Sequence, residues 1–187
     1  METKPNFPAC ISRIVLVGFM GAGKSTVGSL LARLLQWRFL DADNVIEDSA
    51  RKSIADIFSH NGEIAFRALE AQVINDLVRE DRLVLALGGG AVETPSIREA
   101  LFVNPETCVV FLHAPLEIMI ARCEQQPGAA LRPVLQNREH LRSRFESRLS
   151  YYYAAHLVIE TASLTAEETS HQIFKTVSAL LKENTLA

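Results

Sequence analysis

At 187 residues, with 48% hydrophobic and 22% charged side chains, the chain has ordinary globular composition and enough apolar material for one core. The formal net charge of −3 gives no electrostatic basis for a nucleic-acid partner, and no apolar run approaches the roughly 18 residues that a membrane span needs. Cys10, Cys108 and Cys123 are widely spaced and match no paired zinc or redox motif, which points to reduced thiols in a cytoplasmic setting.

Residues 1–12 lack a basic stretch leading into an apolar one, so they are expected to be an unstructured lead-in rather than a signal peptide. Ile14–Val17 is a continuous apolar strand that ends in glycine. Ser25–Leu35 places Val27, Leu30, Leu31, Leu34 and Leu35 at helical spacing. Arg38–Ala42 reads as a second strand with acids at its end. Ser53 followed by Asp56 resembles a capping box opening a helix to His60; after Asn61-Gly62 a further helix runs to about Arg79.

Leu83–Leu87 is a buried type of strand stopped by Gly88-Gly89-Gly90. Pro95 suits the first turn of a helix through Phe102. Cys108–His113 is the fourth strand, Pro115–Cys123 a helix, and Gln125–Gln136 a loop punctuated by Pro127, Gly128 and Pro133. Arg138–Ala154 is helical, with Arg138, Arg142, Arg144 and Arg148 read as a solvated basic face. Leu157–Glu160 is the fifth strand, and Thr165 with Glu168 caps the last helix. Short strands alternating with helices predict a three-layer α/β/α domain around a parallel sheet. With no repeat and no long linker, the chain reads as one domain, 1–187.

The segment Gly18 to Ser25, GFMGAGKS, satisfies the G-x4-G-K-[ST] phosphate-loop pattern between a strand and a helix. Glycines let backbone N–H groups turn inward around a phosphate, and the following helix adds its positive dipole end. Gly21, Ala22, Gly23, Lys24, Ser25 and Thr26 are therefore the expected ATP-binding set. Lys24 reaches toward the β- and γ-phosphates, and the Ser25 hydroxyl suits Mg²⁺.

Four other features lie at strand ends or on nearby helices. Asp41 and Asp43 stand two apart, which in an extended segment turns both carboxylates to one side, one toward Mg²⁺ and one toward a substrate hydroxyl. Solvated acids at a strand end are the alternative. Arg67, between Glu63 and Glu70, offers a planar fork for a carboxylate, or else an ordinary ion-pair set on a helix. The Gly88-Gly89-Gly90 run lets a ligand lie against the backbone, or is a plain turn. Arg148 with Tyr152 is uninformative alone.

Together GFMGAGKST, FLDAD followed by IE, SIADIF, GEIAFRALE, LALGGG, LRPVL and Arg148-x-x-x-Tyr152 before AHLVIET resemble the shikimate kinase family, over roughly Ile14 to Lys182. The resemblance implies a fold of the nucleoside monophosphate kinase type: five parallel strands, a helical substrate-binding region at about 44–75, and a lid at about 124–137. It implies a phosphotransferase with an alcohol acceptor, moving phosphate from ATP to the 3-hydroxyl of shikimate in chorismate and aromatic amino acid biosynthesis. Asp43 would bind the ring hydroxyls and accept the proton, Arg67 and Arg148 would clamp the carboxylate, and Gly89 and Gly90 would line that site. Arg132 would be the catalytic lid arginine over the phosphates, Asp41 would serve Mg²⁺ through water, and Arg122 with Thr161–Leu164 would border the adenine. The implied protein is a cytoplasmic monomer whose partners are shikimate and ATP, with no nucleic acid or membrane.

Three positions depart from the family pattern. Arg51 replaces a common glycine, the lid segment between Arg122 and Arg132 is longer than usual, and His156 stands where aspartate is frequent and reads as structural. Another small-molecule phosphate-loop kinase of the gluconate kinase kind, and a non-catalytic binding protein on the same fold, are the rival readings.

Overall fold

The computed structural model describes residues 10–125 and 137–183. Among them the chain forms five strands, β1 (Arg13–Val17), β2 (Arg38–Asp41), β3 (Leu83–Ala86), β4 (Thr107–His113) and β5 (Leu157–Glu160). The helices are α1 (Lys24–Leu35), α2 (Ala42–Ala50), α3 (Ile54–Leu77), α4 (Pro95–Val103), α5 (Leu116–Glu124), α6 (Arg138–Tyr153) and α7 (Ala166–Glu183). The sheet order is β2-β3-β1-β4-β5, and every pairing is parallel.

The strands form because runs such as Ile14–Leu16 and Val84–Leu85 have no polar side chain to leave in water, and these residues are fully buried. Right-handed crossovers then place α1 on one face and α3 and α4 on the other. The contacts agree: α7 returns from the edge strand to pack on α1, while α3 packs on α4. β1 lies at the centre, between β3 and β4; the chain runs from it to the β2 edge, then returns through β3 and crosses to β4 on its other side. The crevice at the carboxyl end of such a strand is where this architecture receives ligands.

Helix starts follow side-chain chemistry. Ser53 Oγ accepts from the Asp56 amide at 3.1 Å, and Thr165 and Glu168 make both bonds of a capping box, at 2.8 and 3.1 Å. α3 breaks where Asn61-Gly62 predicts it, with Gly62 at φ 79°, ψ 172°. A separate small cluster of Ile46, Ile57 and Phe66 joins α2 to α3.

Two expectations need correction. The second strand stops at Asp41, and Ala42 opens α2, a helix that its weak apolar period did not predict. Asp41 is its N-cap, accepting from the Asp43 amide at 3.1 Å. The basic face of α6 is also not uniformly solvated. Arg138 and Arg142 are exposed and paired with Glu124 and Glu117, but Arg148 is buried. The lid span of about 124–137, with Arg132, lies almost wholly outside the described residues.

Candidate active site

The loop after β1 is shaped by contact with α5. A Cβ on Gly21, at φ 74°, would stand 2.1 Å from the Met119 carbonyl oxygen and 2.9 Å from Cys123 Sγ, so only glycine fits. α1 begins at Lys24, directly after Gly23, and its first N–H groups face into the loop with the positive end of the helix dipole. The Lys24 ammonium lies across the loop, donating to the carbonyls of Gly18 at 2.8 Å and Phe19 at 3.1 Å. Burial pushes its pKa below the usual lysine value, and the carboxylates of Asp43 and Asp41 pull it back up.

Ser25 Oγ donates to Asp41 Oδ2 at 2.6 Å, which joins the end of β2 to the start of α1. A hydroxyl and a carboxylate side by side at the phosphate loop are hard oxygen donors, the kind that Mg²⁺ takes together with nucleotide phosphates and water. Asp43 also faces this loop, but from the first turn of α2 rather than from an extended strand. Burial raises its pKa, the Asp41 carboxylate raises it further, and Lys24 opposes both.

The glycine run after β3 is where the other residues meet. A Cβ on Gly88 would lie 2.7 Å from Asp43 Oδ1 and 3.2 Å from Glu70 Oε1. A Cβ on Gly90 would lie 2.6 Å from Arg67 Nη2. Two of the three glycines are thus bare because the protein's own side chains rest on them, whereas Gly89 has ordinary clearance of 3.6 Å or more. Tyr152, buried and stacked on Phe111 with ring centroids 5.0 Å apart, donates its hydroxyl to the Gly89 carbonyl at 2.5 Å.

Arg67 donates Nη1 to Glu70 at 2.7 Å and Nη2 to Glu63 at 3.3 Å. Glu70 is 1% exposed; burial raises its pKa while Arg67 lowers it. At the far end of the same segment, Arg148 donates Nη2 to Glu93 at 2.6 Å. The two arginines therefore flank Gly88–Glu93, with Asp43 over its first residue. Spacing on a helix could single out Glu70, and the glycine run marks Gly88, but nothing in the sequence marks Glu93.

Beside the loop lies a cavity of about 430 Å³, lined by Gly21, Gly23, Thr26, Arg122, Thr161 and Leu164 among others. Arg122 is fixed there by Thr161, donating to its hydroxyl at 3.1 Å and its carbonyl at 2.6 Å. Gly21, Ala22, Gly23, Lys24, Ser25, Thr26, Asp41, Asp43, Arg67, Gly89, Gly90 and Arg148 thus come from five stretches of the chain to one end of the sheet. His156 stands apart, its Nδ1 accepting from the Val109 amide at 2.9 Å.

A family model described as shikimate kinase matches residues 20–178, most of the chain. The chain belongs to the shikimate kinase family. A shikimate kinase from Thermus thermophilus is 40% identical over 163 residues, covering 86% of this chain and 86% of its own length. One from Acinetobacter baylyi is 39% identical over 177 residues, covering 94% and 93%. Among solved structures, shikimate kinase from Acinetobacter baumannii in complex with shikimate superposes with a TM-score of 0.81 at 38% identity, covering 90% of this chain and 94% of that one. The Aquifex aeolicus enzyme gives 0.76 at 34% identity, covering 89% and 96%.

Membership gives a physical reading of the family departure at Arg51. It is the C-cap of α2 at φ 52°, ψ 35°, the left-handed conformation for which glycine carries no steric penalty.

Proposed function

We infer that this chain transfers the γ-phosphoryl group of ATP to the 3-hydroxyl of shikimate, yielding shikimate 3-phosphate and ADP on the route to chorismate and the aromatic amino acids. The observation that carries the reading is the pair of arginines, Arg67 and Arg148, flanking the Gly88–Glu93 segment beside the phosphate loop. Two guanidiniums on one short segment, with a carboxylate of raised pKa over its first residue, suit a substrate that has both a carboxylate and a hydroxyl.

In this reading the N–H groups of Gly21 through Thr26 hold the ATP phosphates, and the cavity beside Arg122 and Thr161 takes the adenine. Shikimate lies against Gly89 and Gly90, its carboxylate between Arg67 and Arg148 and its hydroxyls on Asp43. Phosphoryl transfer demands positioning and charge neutralisation more than covalent chemistry. Lys24 neutralises charge on the transferring group, and Arg132 closes over the phosphates with the lid. Asp43, its proton affinity raised by burial, orients the 3-hydroxyl and accepts its proton. Ser25 and, through water, Asp41 would hold Mg²⁺, which supplies charge neutralisation between the phosphates.

The reading extends to a monomeric, cytoplasmic enzyme made as one domain, without nucleic-acid or membrane partners. No disulfide joins the described cysteines, and no helix among the described residues is long and apolar enough to cross a membrane. A coupled assay of ADP release with shikimate, gluconate and no acceptor tests the proposal. Release with shikimate alone supports it; release with gluconate but not shikimate contradicts it.

A further inference from the structure

Arg67 and Arg148 flank one segment, but their acidic partners differ in kind. Glu70 reaches Arg67 from the same helix, its side chain 1% exposed, and has no solvent to retreat to. Glu93 belongs to a separate short 3-10 turn, Ala91–Glu93, and its side chain is 39% exposed. Arg148, by contrast, is fixed by burial: its side chain is 6% exposed and its guanidinium lies over the Phe19 ring, 5.7 Å from the centroid. Nη2 is engaged by Glu93, while the buried Nε has no hydrogen-bond partner among the described residues. A buried guanidinium therefore holds one carboxylate that can swing into water and still has a donor to satisfy.

We propose that Glu93 is an internal competitor for Arg148, a carboxylate that neutralises this arginine in the free enzyme and that the substrate's carboxylate must displace or share. The inference rests on the reading of Arg148 as a carboxylate clamp. Position alone does not require Glu93, because burial against Phe19 already fixes the guanidinium. What Glu93 adds is negative charge at the place where an anion has to arrive, and like charges at close range oppose binding. It acts through Arg148 without touching the reacting atoms, so its effect falls on shikimate binding and not on phosphoryl transfer. It also favours a substrate that engages Arg67 at the same time, since a lone anion gains too little from Arg148 to replace an intramolecular partner.

Glu93→Gln tests this, because the amide oxygen can still accept from Nη2 while the charge is gone. Shikimate KM is expected to fall about fivefold, the equivalent of ~1 kcal/mol for a half-exposed ion pair, with kcat and ATP KM within about twofold of the parent. Benzoate, a simple monocarboxylate, should inhibit the variant more strongly than the parent, competitively with shikimate. Glu93→Asp, which keeps the charge, should return KM toward the parent value. An unchanged or raised shikimate KM in Glu93→Gln overturns the competitor role. Arg148→Ala is the separate control: if it leaves shikimate KM intact, the clamp reading itself fails.

Discussion

Arg67 Nη1 donates to Glu70 Oε2 at 2.7 Å, and the same guanidinium lies against the bare Cα of Gly90. A mobile surface arginine is thereby converted into a fixed fork, held from behind by a buried acid and facing the glycine run. Charge-assisted hydrogen bonds of this type are worth roughly 1.5–3 kcal/mol each.

Arg67→Ala is therefore expected to raise shikimate KM by about 10- to 100-fold with a smaller effect on kcat, because the carboxylate it would pair with does not change during the reaction. Lys24→Ala should show the opposite pattern, a large loss in kcat with shikimate KM nearly unchanged. Steady-state kinetics on both variants, with shikimate varied at saturating ATP, separates the two roles.

Asp43 carries a stability cost along with its proposed function. Burial raises its folded pKa above its unfolded value. Stability from this group is therefore greatest below the unfolded value and falls as pH rises through the folded one. Asp43→Asn should accordingly lower kcat by about 10²- to 10⁴-fold while raising Tm at pH 7. A thermal melt beside the kinetic assay checks both; a variant that lost activity and melted earlier would indicate a structural carboxylate.

His156 titrates in the opposite sense. Burial holds its pKa below the ordinary histidine value, and Nδ1 must stay unprotonated to accept the Val109 amide. Its contribution is present above the unfolded value, near pH 6.5, and is lost as pH falls through the lower folded value. The parent should lose more Tm than His156→Asn between about pH 7 and pH 5. Equal slopes would show that this ring does not govern acid sensitivity.

Arg51 offers a stabilising change. A non-glycine residue in the left-handed region costs about 1–2 kcal/mol, partly offset by the greater unfolded freedom of glycine. Arg51→Gly is predicted to stabilise the protein by about 1 kcal/mol, a Tm rise of about 2–4 °C. Differential scanning calorimetry measures this directly.

How much of this was legible in the sequence depends on how local the causes are. Buried parallel strands such as Ile14–Val17 announce themselves as unbroken apolar runs, and the capping pairs at Ser53 and Thr165 mark helix starts within four residues. α2 escaped because Ala42, Val45 and Ile46 give too short an apolar stripe, and because Asp41 looks like a strand end when it is also an N-cap. Asp41 and Asp43 do face the phosphate loop, though a helix turn and not strand alternation brings Asp43 there. The pairing of Glu93 with Arg148 spans 55 residues, so only the folded chain brings them together. The glycine run was visible, but the side chains resting on Gly88 and Gly90 were not.

The central claim is that the two arginines across the glycine run receive shikimate beside a phosphate loop charged with ATP. The most direct test is coupled ADP release with shikimate as acceptor, comparing the parent enzyme with Arg67→Ala. Shikimate-dependent release in the parent, with KM raised at least tenfold in the variant, is the predicted result. Shikimate-independent release, or an unchanged KM in Arg67→Ala, would contradict it.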